Sequence, residues 1–269
     1  MEVTQVEVSD WGVFLALARQ EGWEVPEQEL KLFRGPLAEC AFSLKKQTGP
    51  VGFVTAVNHD SGGWIGNLIV HPDWRGRGCG ALLFDHAAEV LSRRGAERLW
   101  LTASVLGRPL YEKRGFRAVN GVVRWTLDVA LGSLPPAGGE MAKESLFRGD
   151  CLAWGESRRN LLDHLMEEGR VFGCGETAAL LQKKGRMQVL GPWVSPNLCP
   201  RENREVLTAV LAAAEGGLVT DVLESSPVSS LLAAVGFRSC GRCDLMLRGE
   251  ARGVEFSSMV SLASLGSMG

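Results

Sequence analysis

Tyrosine is nearly missing from this chain: Tyr111 stands alone against ten phenylalanines and eight tryptophans. A sequence that fills its core with Phe and Trp makes little packing use of a phenol, which turns the lone tyrosine into a candidate for chemistry. Long apolar runs are also lacking, and no uncharged stretch reaches the roughly 20 residues that span a bilayer. The opening MEVTQVEVSD is acidic, without the basic start and apolar run of a secretory signal, so a cytoplasmic protein with no membrane partner is expected. Excess charge is absent too: the net charge of -2 gives no electrostatic reason to expect nucleic acid. Seven cysteines, an odd and scattered set, do not form a disulfide framework. The one close pair, Cys240 and Cys243, lacks the two further ligands of a zinc site, so no metal is expected.

What is present is an ordinary globular composition, 45% hydrophobic and 22% charged, over 269 residues. That is enough for one large domain or two of common size, with a small molecule as the default ligand. The run Gly132-Ser-Leu-Pro-Pro-Ala-Gly-Gly139 is rich in turn formers and reads as a linker between two patterned halves. Before it, helical spacing covers Trp11–Gly22 and Ala81–Leu91, and strand patterns cover 51–57, 64–70, 98–103 and 122–129. After it, helices are predicted at 158–168 and 204–215, with strands at 177–181, 187–194, 217–223 and 244–247. Each half is of the α/β class. The stretch from Glu250 reads as a tail with no element assigned.

The most specific motif is Asn67-Leu-Ile-Val-His-Pro-Asp-Trp-Arg-Gly-Arg-Gly-Cys-Gly-Ala-Leu-Leu83, a strand, a glycine-rich turn and a helix start. Gly76, Gly78 and Gly80 allow successive backbone N–H groups to converge, and the helix from Ala81 adds the positive end of its dipole. Such a turn suits a pyrophosphate, with Arg75 and Arg77 as cationic donors at its rim. A plain strand-to-helix connection has the same look. A dinucleotide-binding turn fits less well because the spacing is not G-x-G-x-x-G, and no Gly-Lys-Ser/Thr follows for a P-loop.

Arg75-Gly-Arg-Gly-Cys-Gly80 resembles the Arg/Gln-x-x-Gly-x-Gly/Ala signature of the GNAT acetyltransferases. Gly107-Arg-Pro-Leu-Tyr-Glu-Lys-Arg-Gly-Phe116 resembles the family's second signature, a short helix ending at Gly-Phe. The resemblance spans about Trp11 to Val129. It implies that acetyl-CoA is the co-substrate, held by Leu68, Ile69 and Val70 of the fourth strand and by Arg75, Gly76, Arg77, Gly78, Cys79, Gly80 and Ala81. It further implies that the Val70 N–H polarises the thioester carbonyl, that Tyr111 protonates the leaving thiolate, and that a small-molecule amine is the acceptor. For a general base, Glu21, Glu24, Asp60 and His71 are available through water, and none is singled out.

The second half reads as a degenerate copy. Aligning Gly115-Phe116-Arg117 with Gly236-Phe237-Arg238 sets Val70-His-Pro72 on Val194-Ser-Pro196 and Tyr111 on Leu232. The glycine turn becomes Asn197-Leu-Cys-Pro-Arg-Glu-Asn-Arg204, without glycine and with a carboxylate at Glu202. Two-domain GNAT proteins are similar, and the expected organisation is a tandem GNAT fold: a catalytic domain at 1–131, a linker at 132–143, a GNAT-like domain at 144–249 and a tail at 250–269. A non-enzymatic acyl-CoA sensor and a peptide or protein N-acetyltransferase are the rival functions.

Overall fold

The computed structural model describes residues 1–47, 49–128, 140–182 and 187–269. The first half contributes β1 (Glu2–Gln5), α1 (Trp11–Gln20), α2 (Glu27–Arg34), β2 (Ala41–Lys46), β3 (Gly49–Asn58), β4 (Gly62–Val70) and α3 (Cys79–Arg93). It ends with β5 (Arg98–Ala103), α4 (Arg108–Glu112) and β6 (Arg117–Leu127). The second half contributes α5 (Glu140–Trp154), α6 (Arg159–Met166), β7 (Arg170–Cys174), β8 (Thr177–Leu181), β9 (Met187–Val194) and α7 (Pro200–Ala213). Then come β10 (Gly217–Leu223), α8 (Val228–Ala234), β11 (Arg238–Arg248) and β12 (Met259–Ser261).

The elements follow from apolar periodicity. In α3, Cys79, Leu83, Phe84, Ala87, Ala88 and Leu91 recur at helical spacing and are buried on one face. In β5, Leu99 and Leu101 face α3, while Trp100 turns to the opposite core. The first half therefore has α1 and α2 on one face of its sheet and α3 and α4 on the other. Helices α5 and α6 share the core of α1 and α2, where Trp154 packs edge-on against Trp64 and Trp100 at 6.0 and 5.2 Å.

All twelve described strands form one sheet in the order β1-β2-β3-β4-β5-β11-β6-β10-β12-β9-β8-β7. The architecture is a tandem GNAT fold in which the two copies exchange their last long strands. β11 from the second copy pairs with β5 and β6, and β6 from the first pairs with β10. The chain boundary drawn from sequence therefore does not divide the sheet.

Most of the proposed linker lies outside the described residues, and its end is already helix, since α5 starts at Glu140. The segment from Glu250 departs from the expected tail: Met259–Ser261 is a strand wedged between β10 and β9, and Leu262, Ala263 and Met268 are buried. Its small residues carry no periodic pattern to assign, and in the fold they permit close backbone approach. Sequence patterning also passed over α2, whose eight residues carry four charges and too little apolar signal.

Candidate functional site

β4 and β5 run parallel and are paired only at Gly62–Arg98, Gly63–Leu99 and Trp64–Trp100. Beyond Trp64 they diverge, leaving the β5-facing edge of residues 65–70 without a strand partner. A bulge sharpens the divergence. Between Thr55↔Gly66 and Phe53↔Ile69, β4 carries one residue more than β3, and Asn67 takes a left-handed conformation with φ of 51°. Leu68, Ile69 and Val70 thus form the wall of an open V, with Ile69 buried and Leu68 and Val70 part-exposed.

On the α3 face, β4 leads through His71 into the glycine turn. Gly76 and Gly78 have φ of 71° and 81°, and a Cβ built on either would meet nothing within 4 Å. Both need the left-handed region and both border open space, as a backbone cradle requires. Gly78 caps α3, whose first-turn amides at Cys79, Gly80 and Ala81 lack intrahelical acceptors and carry the positive end of the dipole. The Arg77 guanidinium lies 5.1 Å from the centroid of the Trp74 ring, and Lys46 Nζ is 3.6 Å from the same ring. Arg75 is placed differently from a free rim donor: its Nε donates to the Val70 carbonyl at 2.9 Å, and its guanidinium pairs with Glu21. It ties the turn to the end of β4 and to α1. Lys46 was missed by motif reading because it is distant in sequence from the turn.

Tyr111 lies in α4 on the same face, 8% exposed, with its ring 5.6 Å from that of Phe84 and 6.2 Å from that of Phe116. No described residue hydrogen-bonds its hydroxyl. Burial pushes its pKa up to about 12, so the phenol stays protonated through the neutral range.

The candidate bases considered from sequence are dispersed. Glu21 is committed to Arg75, Glu24 and Asp60 are exposed, and His71 Nδ1 accepts from the Asp73 N–H at 3.3 Å. The carboxyl that does reach the V is Glu29, on the face opposite α3. It is 5% exposed and accepts from Asn67 Nδ2 at 3.1 Å, at the bulge itself. Burial raises its pKa, opposed by Asn67, by the nearby Ser267 hydroxyl and by Arg124. Nothing in the sequence singles it out from the three other charges of α2.

A polar cavity of about 310 Å³ lined by His59, Asp60 and Arg158 lies at the β3–β4 hairpin and shares no residue with this cleft.

The second copy repeats the geometry and closes it. β9 and β10 are parallel over 187–189 and 217–219, and β12 fills the gap beyond. At the start of α7, Pro200 removes an amide donor and Glu202 accepts from Thr177 Oγ1 at 2.9 Å, occupying the turn with a carboxylate. Leu232, matching Tyr111, is fully buried.

Among the described residues no group of His, Cys, Asp and Glu is arranged to hold a metal, and no helix is long and apolar enough to cross a membrane.

The sequence model of the Acetyltransferase (GNAT) family matches residues 9–116. No curated protein sequence matches the chain. Among solved structures, a putative acetyltransferase from Pyrococcus horikoshii is 18% identical with a TM-score of 0.79, the match covering 100% of this chain and 95% of that one. A GCN5-related N-acetyltransferase from Sphaerobacter thermophilus is 16% identical with a TM-score of 0.66, covering 94% and 98%. A tandem GNAT protein from the clavulanic acid biosynthesis pathway is 17% identical with a TM-score of 0.65, covering 93% and 98%. Residues 9–116, which include the open V and the glycine turn, match the GNAT acetyltransferase family, and the whole chain has the tandem form of its fold.

Proposed function

We propose that the chain is an acetyl-CoA-dependent N-acetyltransferase that passes the acetyl group directly to the amine of a small molecule. The observation that carries this reading is the pairing of opposite chemistries across one V: an anion cradle on the α3 face and a buried carboxyl on the other. Leu68, Ile69 and Val70 would hold the pantetheine arm, and Gly76, Arg77, Gly78, Cys79, Gly80 and Ala81 the pyrophosphate, with Arg75 bracing the turn. The open space at Gly76 and Gly78 fits that group.

Acetyl-CoA supplies an activated acetyl carbon, on which a C–N bond forms to the amine as the C–S bond breaks. Holding both substrates in the V supplies proximity, and the Val70 N–H is our candidate donor to the carbonyl oxygen. Glu29 takes the proton that the amine loses, and burial, by raising its pKa above the usual carboxylate range, makes it a stronger base for that transfer. Tyr111 gives its phenolic proton to the departing sulfur, for which it must begin protonated.

A small acceptor is favoured over a peptide because Gly266 and Ser267 already lie across the base of the V on the acceptor face. A Cβ at Gly66 would be 2.6 Å from Ser267 Cα, so no second extended chain fits along that stretch of β4. A panel of small amines and N-terminal peptides, assayed by CoA release, tests the reading. Turnover with small amines and none with peptides is expected. Acetyl-CoA binding without turnover on any amine would favour a sensor.

A further inference from the structure

The segment after β12 returns from the second copy to the cleft of the first. Leu262 N donates to the Asp221 carbonyl, and Arg124 Nη2 donates to the Leu265 carbonyl at 3.1 Å. Trp64 Nε1 donates to the Gly266 carbonyl at 3.0 Å, and the amides of Ser267 and Met268 are held by Ser264 Oγ at 3.1 and 2.8 Å. Ser267 is thereby pinned on Gly66, next to the bulge that carries Asn67. Its hydroxyl is buried, makes no hydrogen bond of ordinary geometry, and lies beside the Glu29 carboxyl.

We infer that Ser267 is a positioning residue for Glu29, so that the proton acceptor of the first copy is held between Asn67 of its own β4 and a serine supplied by the second half. A buried hydroxyl without a partner carries a desolvation cost that a neighbouring charged acceptor relieves. When Glu29 is ionised the Ser267 O–H donates to it, sharing the carboxylate with the Asn67 amide and holding it toward the V. The other charge facing Glu29 is Arg124 on β6, whose Nε and Nη2 are bonded to Asp221 at 2.8 and 2.7 Å. That cation is largely neutralised by its own partner, which leaves the two neutral donors to set the carboxylate's position. The second copy, which has no open cleft, contributes to catalysis through this segment.

The inference rests on Glu29 as the proton acceptor, and the two are separable by pH profiles of kcat/KM for the best amine in the full chain. Glu29→Gln should abolish the rate at all pH values while acetyl-CoA binding persists. Ser267→Ala removes a donor to the ionised carboxylate, so the acid limb should move to higher pH by about half a unit to one unit. The amine's own ionisation is common to both proteins, so the difference isolates the enzyme group. Below the limb this is a loss of roughly three- to tenfold, vanishing on the alkaline side. Ser267→Cys, a weaker donor of similar size, should give a smaller shift and serves if the alanine variant does not fold. An unchanged limb in the folded variants, with Glu29→Gln inactive, overturns the role of Ser267 alone. An active Glu29→Gln overturns both.

Discussion

Replacing Gly78 by glutamate should cost the protein its acetyl-CoA while leaving the fold standing. Gly78 sits at φ of 81° with open space where a Cβ would go, so the folded chain meets no clash. The folding cost is the left-handed strain on a non-glycine residue, about 1–2 kcal/mol. For the ligand the same space is the proposed cradle, where a carboxylate and a phosphate oxygen in contact would be about 4 Å apart. At an effective dielectric of about 20 that repulsion is about 4 kcal/mol per pair of unit charges, or about a thousandfold in Kd. Gly78→Ala separates the terms, since it shares the strain without the charge. Calorimetry with acetyl-CoA on both variants, with thermal melts to check folding, reads the two effects. Acetyl-CoA binding by folded Gly78→Glu within a few fold of the parent protein would refute the cradle.

Tyr111→Phe keeps the packing on Phe84 and Phe116 and removes only the proton, so kcat should fall by about 10²–10⁴ with acetyl-CoA affinity nearly constant; a parent-like rate in a step limited by chemistry would return Tyr111 to a packing role. Glu29→Gln should raise thermal stability at neutral pH, because a carboxyl whose folded pKa is raised stabilises fully only below its usual 4.5 and loses that contribution as pH rises through the folded value. The gain should disappear in melts near pH 4. Titration calorimetry should find one acetyl-CoA per chain, since β12 closes the second V and Glu202 faces its turn; two comparable sites would contradict this. Residues 1–131 expressed alone should fail to give a stable domain, because β5 loses β11 and β6 loses both its partners; a cooperative melt from that fragment would count against the exchanged-strand account.

Local chemistry made much of this protein readable from sequence. The turn at 75–80 is legible because left-handed glycines and a helix start are properties of a few adjacent residues. Strands such as Arg98–Ala103, Thr177–Leu181, Met187–Val194 and Gly217–Leu223 are legible because their apolar runs are short and set off by glycine or charged residues. The paired Gly-Phe-Arg segments at 115–117 and 236–238 disclosed the repeat, and both open a long strand, β6 and β11. Pairing partners were not legible. Nothing local distinguishes β11 lying beside its own copy from β11 lying between β5 and β6, because strand exchange conserves every side-chain alternation and changes only the neighbour. Glu29 was hidden for the same reason: its role comes from burial by α2 packing on the sheet and from a bulge 38 residues away in sequence. The segment 262–269 looked structureless because small residues carry no periodic signal. Its place is set by hydrogen bonds between its backbone and the Asp221 carbonyl and the Arg124 and Trp64 side chains, partners that only the folded chain brings together.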